Sequence, residues 1–178
     1  MKGVIIYKGK YGATRQYSQW LGWELNLPVV EADNMLGQKL KDFTYLLIGT
    51  SVYIGKLQIS QWLRINRAAL LDKKIFFFQV AGTPANQIDK LNSYYQSGVP
   101  EEIRKNSEVF FLEGKLIMQD LSRWDRFMLK MGARLTGDPG AKKAMLTDYN
   151  HVTRERIIPL VKSVQQYISV AQPVKNYT

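Results

Sequence analysis

A doubly wound α/β fold with a five-stranded parallel sheet is predicted by three features of this sequence. Apolar runs alternate with helical patterns along most of its 178 residues. The first three long runs are almost continuously apolar, as strands buried on both faces of a parallel sheet must be. The loops that follow them are glycine-bearing, small or polar, as suits the carboxyl ends of such strands, where ligands bind.

The first run, Gly3 to Tyr7, breaks into K-G-K-Y-G-A-T at Lys8 to Thr14, and a helical pattern follows through Tyr17, Trp20, Leu21 and Leu25. That order aims free backbone N–H groups and a helix N-terminus at one point above the strand end, where a phosphate is held. A triphosphatase loop is excluded, because Gly9 and Gly12 are too close and Ala13 stands where the lysine belongs. A G-x-G-x-x-G dinucleotide fingerprint is also missing. The loop suits one terminal phosphate, held by Thr14, by loop amides and by the charge of Lys8 and Lys10. Its other reading is glycine used only for a tight turn.

A short run, Pro28 to Ala32, adds a strand, and Tyr45 to Ser51 is the next long one. The loop after it, T-S-V-Y-I-G-K at Thr50 to Lys56, carries Tyr53 beside Gly55. An aromatic there suits stacking on a flat ring, or packs on its own domain. Helical spacing at Ile59, Trp62, Leu63 and Leu70 leads to the strand Lys74 to Ala81 and the loop G-T-P-A-N at Gly82 to Asn86. Ile88, Leu91 and Tyr95 mark another helix, and Val109 to Met118 the last strand. Such alternation implies right-handed crossovers.

The last third departs from this order. Leu121, Trp124, Phe127, Met128, Met131 and Leu135 follow helical spacing, with Arg123, Arg126, Lys130 and Arg134 on an adjacent face. From Gly114 to Leu146 there are seven Lys/Arg and three Asp, net +4, with no Glu. This basic amphipathic segment fits an anionic membrane surface; equally, its stripe covers the sheet or a second copy of the chain. The turn G-D-P-G at Gly137 to Gly140 ends it. A closing helix is expected from an N-cap at Asp148 or Asn150 to about Ile168, with Ile157, Leu160, Val161, Val164 and Ile168 inward and a kink or split at Pro159. The expected organisation is one domain over 1–170, an insertion at about 119–146 and a flexible tail at 171–178.

Composition narrows the chemistry. With no cysteine there is no disulfide, iron–sulfur ligation or thiol nucleophile, and with His151 as the single histidine a multi-histidine metal site or a Ser-His-Asp triad is not expected. Redox or transfer chemistry then falls to a bound organic cofactor, and no metal site is assigned. No signal peptide precedes the first strand and no apolar run reaches the roughly 18 residues of a membrane span, so a cytoplasmic protein, or one peripheral on the cytoplasmic membrane face, is expected. The net charge of +10 calls for an anionic partner: nucleic acid, anionic lipid or an acidic protein. Nucleic acid is disfavoured, since no recognised motif accompanies the charge.

Together these features resemble the flavodoxin family, whose first loop is usually written [T/S]-x-T-G-x-T around the phosphate of flavin mononucleotide (FMN). More narrowly, nearly the whole chain is similar to the flavodoxin-type, quinone-dependent protoporphyrinogen dehydrogenases. The likeness is strongest in I-G-T-S-V-Y-I-G at Ile48 to Gly55 and in R-W-D-R-F-M-L-K-M at Arg123 to Met131. The second motif is the more discriminating, because ordinary flavodoxins are not expected to carry it. The resemblance implies FMN contacts from Lys8, Gly9, Lys10, Tyr11, Gly12, Ala13 and Thr14 at the phosphate. It places Thr50, Ser51, Val52, Tyr53, Ile54 and Gly55 at one flavin edge, and Val80, Ala81, Gly82 and Thr83 at the other. Lys8 and Gly9 stand where the family has hydroxyls, so only Thr14 keeps one, lysine charge compensates in part, and FMN binding is weakened or altered.

The expected function is an FMN-dependent oxidoreductase that oxidises a porphyrinogen and passes electrons to a membrane quinone, with no protein acid or base named as catalytic. Arg123, Trp124, Arg126, Phe127, Lys130, Met131 and Arg134 form the expected membrane or partner contact. A shuttle flavodoxin is typically acidic, and the charge of this chain favours the membrane branch. The alternatives are a flavodoxin electron carrier working with a redox partner protein, a quinone reductase without porphyrin activity, and a cofactor-free basic binding module; self-association stays open.

Overall fold

The computed structural model of the protein describes residues 1–35 and 37–171; the expected tail beyond Ala171 lies outside them. In chain order it runs β1 (Gly3–Lys8), α1 (Ala13–Leu25), β2 (Val29–Glu31), β3 (Tyr45–Tyr53), β4 (Lys56–Leu57), α2 (Ser60–Ile65) and α3 (Arg67–Leu70). There follow β5 (Lys74–Ala81), α4 (Ile88–Gly98), α5 (Glu101–Arg104), β6 (Ser107–Glu113), β7 (Lys115–Leu116), α6 (Arg123–Leu135), α7 (Pro139–Leu146), β8 (Tyr149–Asn150) and α8 (Ile158–Ala171).

Five strands form a parallel sheet in the order β2-β1-β3-β5-β6, and β4 folds back antiparallel on the end of β3. Strand order reverses beside β1, so the loops after β1, β3 and β5 open at the same crevice. Alternate residues of the central strands enter opposite layers. Val4, Ile6, Leu46, Ile48 and Phe77 meet Trp62, Leu63 and Tyr95 on one face. Ile5, Leu47, Phe76 and Phe78 meet Tyr17, Leu21, Leu160 and Val164 on the other. Both faces are dry, which explains the unbroken apolar runs.

Several boundaries differ from expectation. The strand expected over Val109 to Met118 ends at Glu113: Gly114 N–H donates to Ala81 O at 2.8 Å, and the chain then turns into a separate antiparallel hairpin of β7 with β8. Asp148 and Asn150 therefore do not cap a helix; Asp148 accepts from Met118 N–H, and Asn150 lies in β8. The closing helix starts at Ile158, with Pro159 in its first turn, where a missing N–H costs nothing, so no kink arises. Ile157, Leu160 and Val164 do face inward, with Val161 and Ile168 packed beside them. The turn expected to end the insertion overlaps the start of α7, with Asp138 as N-cap and Pro139 in the first turn. The pattern from Ile59 to Leu70 is broken at Asn66 into α2 and α3.

Candidate functional site: a phosphate-type cradle under an insertion helix

Gly12 takes φ 82°, a left-handed conformation that glycine adopts without steric cost, and no side chain caps α1. The first amides of α1 therefore stand open at the crevice, with the positive end of the helix dipole behind them. Thr14 is 1% exposed, and its Oγ1 has no hydrogen-bond partner. A buried hydroxyl left unpaired is costly, so a ligand at this point is the natural acceptor. Gly9 makes room for it: a Cβ there would lie 2.7 Å from Thr14 Oγ1.

A narrow cavity of about 70 Å³ continues from this cradle, lined in part by Lys10, Tyr11, Thr14, Tyr53, Gly82 and Lys115. Ala13, Ser51, Val52, Val80, Ala81 and Gly114 complete its wall. The three loops thus converge. Other residues implied by the resemblance do not line this cavity. Lys8 forms an ion pair with Asp33 at 2.7 Å, and Gly9 and Gly12 shape the loop without lining the cavity. Thr50 is fully buried and its Oγ1 accepts from Ile59 N–H, so its hydroxyl serves the β3–β4 corner. Ile54 and Gly55 form the tip of the β3–β4 hairpin with φ 46° and 71°, outside the cavity, as is Thr83. A β-branched residue such as Ile54 holds that conformation at a cost of about 1–2 kcal/mol.

The mouth is crossed by a cluster that joins three segments. Lys10 Nζ lies 4.2 Å from the Tyr53 ring centroid and 2.6 Å from Asp125 Oδ2. The latter contact is an ion pair rather than an aligned hydrogen bond. Tyr53 Oη donates to Asp125 Oδ1. The carboxylate beside it, helped by Tyr53, holds the Lys10 ammonium above its ordinary pKa. Asp125 is 5% exposed and sits in the first turn of α6, where the helix dipole favours a carboxylate. Ser122 Oγ already caps that helix by accepting Asp125 N–H. The Asp125 side chain is thereby free to reach the loop after β1 and the end of β3.

The opposite side of α6 is open. Trp124, Phe127 and Leu135 are 64%, 53% and 83% exposed, and Met128 and Met131 are exposed with them. Arg123, Lys130 and Arg134 are exposed around that stripe. Arg126 does not belong with them: it is half-buried and donates to Leu121 O at 3.1 Å. The apolar stripe does not cover the sheet; Asp125 and Ala133 are the buried positions of the helix.

Four residues at the site escape sequence reading: Gly114, Lys115, Asp125 and Tyr149. Lys115 was hidden inside an apparent strand, and Asp125 inside a basic helix. Tyr149 lies so close to Gly82 that a Cβ there would collide with its hydroxyl, and burial raises its pKa. Among the described residues no cluster of His, Cys, Asp or Glu could hold a metal, and no helix is long and apolar enough to cross a membrane.

An uncharacterised protein of Methanocaldococcus jannaschii is 26% identical over 85 residues, 47% of this chain and 57% of that protein, so the chain spans little more than half of this relative. Among solved structures, a flavodoxin from the domain Archaea is 16% identical and aligns over 71% of this chain and 92% of its own, with TM-score 0.44. Flavodoxin 2 from Bacillus cereus is 15% identical over 64% and 84%, with TM-score 0.47. The flavodiiron core from Synechocystis is 18% identical over 71% and 34%, with TM-score 0.46. A family model described as flavodoxin domain matches residues 4–143. With that match spanning most of the sequence, the chain belongs to the flavodoxin domain family.

Proposed function

We propose that the protein is an FMN-dependent redox protein. The observation that carries this reading is the buried, unpartnered Thr14 hydroxyl beneath the open amides of α1, in a cavity reached by the two other loops. The donor set fits a phosphomonoester: backbone amides, one hydroxyl and a cation, with no magnesium-binding carboxylate in the cavity wall. Bound FMN would supply the electron transfer itself. The chain's part is to hold the phosphate through Thr14 and the loop amides, and to enclose the ring between the 51–53 and 80–82 segments. Lys10 lies over the Tyr53 ring at the mouth of this cavity.

The finer reading is an oxidoreductase that takes electrons from a porphyrinogen and delivers them to a quinone at an anionic membrane. Its support is the R-W-D-R-F-M-L-K-M motif and the apolar and basic face of α6, which is exposed beside the cofactor crevice and complements anionic headgroups. An electron-carrier reading is supported by the match of the flavodoxin domain model over residues 4–143.

Flavin extracted from the purified protein should be FMN, and reconstitution should fail with FAD. Tight ATP–magnesium binding without flavin would sink the reading. Oxidation of a porphyrinogen dependent on added quinone selects the enzyme; reduction of a protein acceptor alone selects the carrier.

A further inference from the structure

Both lysines of the first loop are committed elsewhere. Lys8 is paired with Asp33, and Lys10 with Asp125. A phosphomonoester carries nearly two negative charges at neutral pH, and the cradle of Gly12 and Thr14 offers only neutral donors. Lys115 stands at this point. Its Nζ is 3.8 Å from where a Cβ of Gly12 would be, it lines the cavity, and among the described residues it makes no ion pair or side-chain hydrogen bond.

The backbone explains how it gets there. Gly114 N–H is held to Ala81 O, and Gly114 O accepts from His151 N–H at 3.1 Å. The residue after Gly114 is thereby pinned where the sheet's carboxyl edge meets the loop before α1. Pairing of Lys115 with Asn150 in the β7–β8 hairpin fixes its backbone. A lysine with a fixed stem and an uncommitted ammonium is available to an anion as a point charge.

Resting on the FMN reading, we propose that Lys115 is the phosphate-binding cation of this site, while Lys8 and Lys10 hold the loop and the insertion helix in place. The ligand class is a phosphomonoester, and the residue makes the site discriminate FMN from riboflavin.

The test is titration of the full-length protein, stripped of flavin, with FMN and with riboflavin, read by quenching of flavin fluorescence. Lys115→Gln should weaken FMN about tenfold or more and leave riboflavin unchanged, since charge-assisted bonds to phosphate are the strong ones. Lys115→Arg should restore most of the loss, and Lys8→Gln should change the FMN:riboflavin ratio less than about threefold. Added salt should weaken FMN binding to the wild type and have less effect on Lys115→Gln. Unchanged FMN binding in Lys115→Gln overturns the assignment alone. Failure of the wild type to bind FMN overturns the flavin reading and this inference with it.

Discussion

The parallel sheet and the insertion helix use apolar residues in opposite ways. In β5, Phe76, Phe77 and Phe78 are all fully buried, because helices cover both faces of the strand. In α6, Trp124, Phe127 and Leu135 are exposed, while the buried side of that helix presents a carboxylate, Asp125, to the loop after β1 and the end of β3. Hydrophobicity in the sheet is a stability device. On α6 it lies on the exposed side, and the buried side joins the loop after β1 and the end of β3 through the charge and hydrogen bonding of Asp125.

The contrast can be broken most strongly from the sheet side. Phe77→Ala removes a fully buried ring packed 5.2 Å from that of Tyr95, and should cost about 3–5 kcal/mol in chemical denaturation. Trp124→Ala should change the same midpoint by less than about 0.5 kcal/mol. Equal effects would place the exposed stripe in a packed interface.

Next in size is the surface itself. Replacing Arg123, Lys130 and Arg134 by glutamine should reduce sedimentation with anionic vesicles by about 1 kcal/mol per charge, or roughly a hundredfold in all, and high salt should mimic it. Arg126→Gln should weaken vesicle binding less than the change at any one of these three, because that guanidinium is half-buried and turned inward onto Leu121 O. A wild type indifferent to such vesicles at low salt shifts the weight to a protein partner.

At the cradle, Thr14→Ala deletes a hydroxyl that has no partner within the protein, so the fold should keep its stability while FMN binding weakens by about 1.5–3 kcal/mol. An unchanged dissociation constant would assign the holding to amides and lysine. A smaller effect than at the cradle is expected at the joint between the regions. Asp125→Asn keeps an acceptor for Tyr53 but loses the charge facing Lys10, which is itself partly solvated. A loss of about 1 kcal/mol is expected, read as faster amide exchange in α6 with the sheet unaffected.

What the sequence made legible follows from the range of the signal. Strands β1, β3 and β5 and the convergence of their loops follow from local periodicity and glycine placement, and these match the sheet order and the cavity wall. Val109 to Met118 read as one strand because apolar content does not reveal where hydrogen bonding stops, and the break at Gly114 depends on Ala81, far away in sequence. Lys8 and Lys10 read as free charges because their partners, Asp33 and Asp125, lie 25 and 115 residues away and no periodicity links them. Arg126 shared the spacing of the exposed arginines but turns inward to cap a carbonyl, a choice of rotamer rather than of pattern.

The open stripe on α6 also governs how the protein behaves among its own copies. A chain of net charge +10 repels itself, and at low ionic strength that repulsion opposes contact between the exposed Trp124, Phe127 and Leu135 faces of two molecules. Salt shortens the reach of the repulsion to about 10 Å or less and leaves the apolar attraction in place. Ionic strength is therefore expected to act as a sorting variable for this molecule: dilute salt keeps copies apart, whereas concentrated salt should promote colloidal self-association through the same helix.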